Sequence, residues 1–183
     1  MNKIVLKSFI IFFLSVVYSY SEIISKIEIT GNKRISNQTI LVLGDITMGI
    51  EFSNDQLNES LKSLYKSNFF KDVNLTFDKN LLKISVIENP IVEDIEFTGI
   101  KSNSLLEKLN EVINLKNRMS FTDDLIKRDL DLIKNVLKAN GFYFSKVETS
   151  ISRNEDLNSV RIKVDIDQGQ KAKIKQISFL GDK

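Results

Sequence analysis

The 183-residue chain contains no histidine and no cysteine. The commonest general base and commonest metal ligand are therefore missing, and no nucleophilic arrangement of the Ser/His/Asp or Cys/His type can be assembled. Without cysteine there is neither a disulfide nor thiolate chemistry, a state that an exported chain tolerates. The carboxylates do not fill the gap. Asp123 and Asp124 are neighbours, and adjacent helical positions do not face each other; they complement the positive end of a helix dipole instead. Glu22, Glu28 and Glu51 lack the spacing of a metal site. The expectation is a protein without catalytic residues, cofactor or metal.

A surplus of one charge is also missing once the N-terminus is set aside. Lys3 and Lys7 precede an apolar run from Ser8 to Val17, and Ser19, Tyr20 and Ser21 place small residues ahead of Glu22. This pattern predicts a cleaved secretory signal over residues 1–21. Its uncharged stretch, Ser8 to Ser21, is 14 residues long, short of the roughly 20 that a membrane-spanning helix needs. Without Lys3 and Lys7, 24 basic residues face 24 acidic ones. The apparent basicity belongs to the export signal, and nothing points to a nucleic-acid surface.

What the sequence does contain is a repeat. Ile27, Glu28, Ile29, Thr30, Gly31 returns as Ile95, Glu96, Phe97, Thr98, Gly99, and again as Ile177, Ser178, Phe179, Leu180, Gly181. Each copy has the alternation of a half-buried strand and stops on a glycine suited to a tight exit turn, so Gly31, Gly99 and Gly181 are predicted structural turns. After Gly31, Ser36 caps a first helix carrying Ile40, Leu41 and Leu43, with Gly44 as its stop. Ser53 and Gln56 have capping-box spacing before a second helix with the stripe Leu57, Leu61, Leu64. Val73, Leu75 and Phe77 then alternate with polar residues, and a turn at Asp78 to Asn80 leads to Leu82, Ile84 and Val86.

The second unit follows in phase. Ser104 and Glu107 suggest a capping box for a helix with Leu105, Leu106, Leu109 and Ile113. Thr122 caps the next helix, whose stripe Ile126, Leu130, Ile133 lies 69 residues after that of the first unit. The offset grows to 74 at Val147, so this helix or its exit is about a turn longer, with Gly141 beyond its end. A hairpin of Val147, Thr149, Ile151 against Ile162, Val164, Ile166 closes the unit through the polar loop Arg153 to Asn158. The predicted fold class is α+β: two units ordered β-α-α-β-β, each a three-stranded mixed sheet covered on one face by two helices. Their predicted bounds are 22–91 and 92–171, with residues 172–183 opening a third. The aromatics Phe69, Phe70, Phe142, Tyr143 and Phe144 are expected to seat helix ends on the sheets, with a partner pocket as the alternative for any that is exposed, and Lys33 and Arg34 to be solvated turn charges that would face a neighbouring domain or chaperone if the turn lies at a junction.

The turn from Thr30 to Ile35, the run from Leu64 to Val73 and the closing Val86, Ile87, Glu88, Asn89, Pro90 resemble a POTRA domain, specifically the N-terminal POTRA domains of the BamA-type outer-membrane assembly factors. The second unit is similar through Leu137 to Tyr143 and Asp167, Gln168, Gly169, and departs in having Ile100 where the first has Asn32. The resemblance implies several such domains on the periplasmic side of a membrane β-barrel, so the residues from 172 onward read as the start of a truncated domain. It implies as partners unfolded outer-membrane β-barrel proteins, a periplasmic chaperone and accessory outer-membrane lipoproteins. It also implies that the strand after the second helix is a sheet edge: Val73, Asn74, Leu75, Thr76 and Phe77 in the first unit, and Val147, Glu148, Thr149, Ser150 and Ile151 in the second. An unpaired edge can add an extended polypeptide through main-chain hydrogen bonds that read little of its sequence. Asn89 and Pro90, the only proline, form the predicted interdomain linker. Proline fixes its own φ and extends its predecessor, so a connection of about four residues from Asn89 to Val92 should be stiff. Alternatives within the fold are the POTRA region of a two-partner-secretion or autotransporter-assembly transporter, or of a division protein. A small secreted enzyme would instead need a pocket with convergent polar groups.

Overall fold

The computed structural model describes residues 23–173, 175–177 and 181. The predicted signal at 1–21, and Ile174, Ser178, Phe179 and Leu180 of the segment predicted to open a third unit, lie outside the described residues. Two units follow one another, each with the same element order. The first contains β1 (Lys26–Thr30), α1 (Asn37–Leu43), α2 (Asn54–Lys66), β2 (Phe70–Asp78) and β3 (Leu81–Glu88). The second contains β4 (Ile91–Thr98), α3 (Asn103–Val112), α4 (Asp123–Ala139), β5 (Lys146–Asn154) and β6 (Ser159–Asp167).

Both sheets have three strands, in the orders β1-β3-β2 and β4-β6-β5. The crossover through two helices makes β1 parallel to β3 and β4 parallel to β6, whereas each final hairpin is antiparallel, so the sheets are mixed. Ile29 sits opposite Ile84, and Ile95 opposite Ile162. The alternation read from sequence places Leu82, Ile84 and Val86 in one core with Ile40 and Leu64, and Ile162, Val164 and Ile166 in the other with Leu109, Ile133 and Leu137. Fully burying such a side chain contributes about 1.5–3 kcal/mol.

Local chemistry sets the ends of these elements. The Ser36 and Thr122 hydroxyls accept from the N–H groups of Thr39 and Leu125, and Ser53 and Gln56 complete both halves of a capping box at 3.2 and 2.8 Å. The α4 exit closes as a Schellman motif: Gly141 N donates to Lys138 O and Phe142 N to Leu137 O, both at 2.9 Å. Lys79 and Asn80, at φ 49° and 66°, give the first hairpin a primed two-residue turn whose twist matches its strands. Gly31 and Gly99 are fixed by close approach as well as by φ of 87° and 80°. A Cβ there would lie 2.0 Å from the Val86 carbonyl oxygen and 1.9 Å from that of Ile166. Among the described residues no atom would lie within 4 Å of a Cβ at Gly181.

Three expectations are corrected. The N-cap of α3 is Ser102, whose hydroxyl accepts from Leu105 N at 3.4 Å, and not Ser104, which falls inside the first turn. The chain thus enters this helix three residues after its glycine rather than five, because the longer first-unit turn is built around a carboxylate that the second unit lacks. The linker is two residues, not four, since β3 ends at Glu88 and β4 begins at Ile91. Finally, Phe142 packs on the second core while Tyr143 and Phe144 are 60% and 83% exposed. They occupy the extra length between the helix exit and β5, which starts at Lys146. Among the described residues no helix is long and apolar enough to cross a membrane.

Candidate binding edges and the interdomain cleft

The strand orders leave β2 and β5 at sheet edges, with β1 and β4 at the opposite edges. The residues singled out from sequence therefore lie on edge strands: Val73 to Phe77 on β2 and Val147 to Ile151 on β5. Val73 and Leu75 point into the first core and are buried, with Phe77 partly buried against Phe52 at 5.5 Å between ring centroids. Asn74 and Thr76 face outward. The second edge is barer. Val147 and Ile151 are half-buried, and Thr149, between them on the same side, is exposed.

The two edges also differ in what already touches their backbone. The Tyr65 hydroxyl, from the last turn of α2, accepts a hydrogen bond from Val73 N at 3.1 Å, donates to Asp72 Oδ1 at 3.0 Å and lies 3.4 Å from the Val73 carbonyl oxygen. Among the described residues, no side-chain hydrogen bond reaches the backbone of Val147 to Ile151. The position of α4 that corresponds to Tyr65 in the repeat is Lys134, which pairs with Asp131.

Between the units lies an open cleft of about 700 Å³. It is bordered by the start of β2 at Phe70 and Lys71 and by the end of β5 at Arg153 and Asn154. Both edge strands thus open on it. β3 runs toward the junction and β6 away from it, so their antiparallel partners β2 and β5 share one polarity along the chain of domains. The Arg153 guanidinium stacks over Phe121 at 5.5 Å and lies 3.8 Å from Asp123.

The junction itself is held by a buried carboxylate that sequence reasoning missed. Glu88 Oε1 accepts from the N–H groups of Lys33, Arg34 and Ile35 at 2.7, 2.8 and 2.9 Å, and Oε2 accepts from Arg34 Nε at 3.0 Å. Burial alone would raise the Glu88 carboxyl above its ordinary value; the N–H groups of Ile35, Lys33 and Arg34, with the Arg34 side chain, outweigh it and hold the carboxyl low. Arg34 is therefore not a solvated turn charge. Its Nη2 reaches on to the Asn89 carbonyl at 2.6 Å. Asn89 N and Nδ2 donate to Phe69 O and Asn68 O, at 2.8 and 2.9 Å. From the second unit, Asn158 Nδ2 donates to Glu88 O at 3.2 Å, and Phe121 N donates to Pro90 O at 2.7 Å. The stiffness expected of Pro90 is thus joined by hydrogen bonds from both units. The sequence signal for this knot is a glutamate two positions before the lone proline.

The second unit buries a different carboxylate, Asp129 on α4. It accepts from Asn114 N at 2.8 Å, Leu115 N at 2.8 Å and Asn114 Nδ2 at 2.9 Å, and so pins the loop between α3 and α4. Among the described residues no group of three metal-ligating side chains occurs.

Comparison with known proteins gives a consistent picture. The family model for POTRA, described as "Surface antigen variable number repeat", matches residues 22–89 and 90–169. The outer membrane protein assembly factor BamA of Neorickettsia risticii is 28% identical over 173 residues, covering 90% of this chain and 22% of that protein. BamA of Buchnera aphidicola subsp. Acyrthosiphon pisum is 28% identical over 181 residues, 95% of this chain and 28% of that protein. The chain therefore spans between a fifth and a third of the length of these curated relatives. The N-terminal domain of Omp85 from Thermosynechococcus elongatus shares the fold at a TM-score of 0.53 and 16% identity, over 80% of this chain and 63% of that one.

Proposed function

The chain belongs to the POTRA family, with two copies in tandem, and from that premise we propose that it is the periplasmic arm of an outer-membrane β-barrel assembly factor. In this reading it is a non-enzymatic scaffold at the periplasmic face of the outer membrane, exported by the signal at 1–21. Its two domains meet at the Asn89–Pro90 joint, and the residues from 172 open a further one. It receives unfolded outer-membrane proteins, delivered by a periplasmic chaperone, and docks accessory lipoproteins.

The observation that supports the reading is the repeated edge. Each unit leaves the first strand of its hairpin at a sheet border, where unpaired N–H and C=O groups can pair with an extended guest whatever its side chains. Such pairing suits a receiver of many different barrel strands, because main-chain bonds supply affinity without reading sequence. The relatives named outer membrane protein assembly factors carry matching segments.

The test is a titration of the isotope-labelled protein with a peptide copied from a barrel strand. Amide shifts are expected along Val73 to Phe77 and Val147 to Ile151. Shifts confined to other elements would overturn the edge reading.

A further inference from the structure

The two edges are not equally available, and the reason is one side chain. In an antiparallel edge strand, alternate residues turn both backbone polar groups away from the partner strand, and these are what a guest strand would bond. In β2 one such residue is Val73. Its N–H is already bonded to the Tyr65 hydroxyl at 3.1 Å, and the same oxygen sits 3.4 Å from its carbonyl. Tyr65 thus stands where a guest residue's backbone would stand, anchored by its bond to Asp72 at 3.0 Å. The ring is not locked in a core: Tyr65 is 41% exposed, so it can swing away without opening a cavity. In the second unit the corresponding helix position is Lys134, and among the described residues no side-chain hydrogen bond reaches the backbone of Val147 to Ile151.

We propose that Tyr65 is a built-in competitor for the first edge. It closes β2 at Val73, leaving β5 as the edge an extended polypeptide pairs with first, and it yields β2 only to a guest whose pairing replaces its hydrogen bond. The inference rests on the edge-strand reading above. It assigns Tyr65 a selecting role, since weak or short guests would be held on β5 alone.

The experiment compares the wild-type chain with Tyr65→Phe, which keeps the ring and removes the hydroxyl. The probe is an alternating Thr/Val peptide of about ten residues, enough to line one edge strand. Its affinity at each edge is read separately from the amides of Leu75 and Phe77 and from those of Thr149 and Ile151. In the wild type the peptide should bind β5 more tightly than β2. In Tyr65→Phe, binding at β2 should tighten about fivefold, the worth of one hydrogen bond no longer in competition, with β5 unchanged. Tyr65→Leu should behave like Tyr65→Phe, which separates loss of the hydroxyl from any repacking of the ring. Unchanged binding at β2, or an equal gain at both edges, would overturn the role of Tyr65 while leaving the edge-strand reading intact. Absence of binding at either edge in all three proteins would overturn both.

Discussion

The two units share a backbone plan and differ in how they hold it. In the first, a carboxylate at the end of the last strand gathers three consecutive N–H groups of the turn before α1 and ties the linker through Arg34. In the second, the turn before α3 is shorter, and the buried carboxylate lies instead on α4, pinning the loop between the helices. The edges differ too: the Tyr65 hydroxyl binds the backbone of one at Val73, whereas among the described residues no side-chain hydrogen bond reaches the backbone of Val147 to Ile151. The repeat thus specifies core and topology, while the polar anchors are free to move, because any buried N–H needs a partner but not a particular one.

The sharpest way to break this comparison is to remove each anchor. Glu88→Ala leaves three N–H groups and a half-buried guanidinium without their acceptor, and should destabilise the first unit by about 3–5 kcal/mol. Amide exchange should show the second unit nearly unaffected. Gly31→Ala and Gly99→Ala should each cost about 3 kcal/mol in their own unit, since the new Cβ collides with a backbone oxygen at a positive φ. Equal losses in denaturant unfolding would confirm that this glycine belongs to the shared plan. Asp129→Ala should cost the second unit about 1–3 kcal/mol by orphaning the N–H groups of Asn114 and Leu115, and leave the first unchanged.

Acid should separate the units too. Glu88 has its native value held below the ordinary 4.5, so the stability it supplies is complete above the ordinary value and is lost as pH falls from there through the lower native value. Glu93 and Asp165 of the second unit are also drawn down, by Arg161 and by Lys163, but these pairs sit on the solvent-facing side, where ion pairs contribute little. As pH falls below the ordinary carboxylate value the first unit should therefore lose stability more steeply, as followed by its amide signals. The smallest effect is expected at the joint: Pro90→Gly should broaden the distance distribution between spin labels on the two units less than Arg34→Ala combined with Asn158→Ala.

Much of the fold was legible in the sequence because apolar periodicity reports burial directly. The stripes of α2 and α4, the alternation of β3 and β6, the caps Ser36, Ser53 and Thr122, and the exit at Gly141 all follow from residues a few positions apart. The cap at Ser102 is hidden because Ser104 offers the better local box, and local spacing cannot register that this turn lacks the carboxylate of the first unit. Tyr65, Arg34, Asn158 and Asp129 were illegible for a related reason. Each has an ordinary polar reading on its own, and its partner is fixed only by how distant segments meet.

The sequence by itself determined that there are two units, the order of their elements, their cores and the glycines that release the chain into the helices. All of these depend on short-range pattern and on the absence of competing chemistry. The tertiary structure alone decided that the linker is two residues held from both sides, and that the Tyr65 hydroxyl sits on the backbone of one sheet edge at Val73. Those properties arise where side chains from separate elements reach the same backbone groups, and no period in the sequence records that meeting.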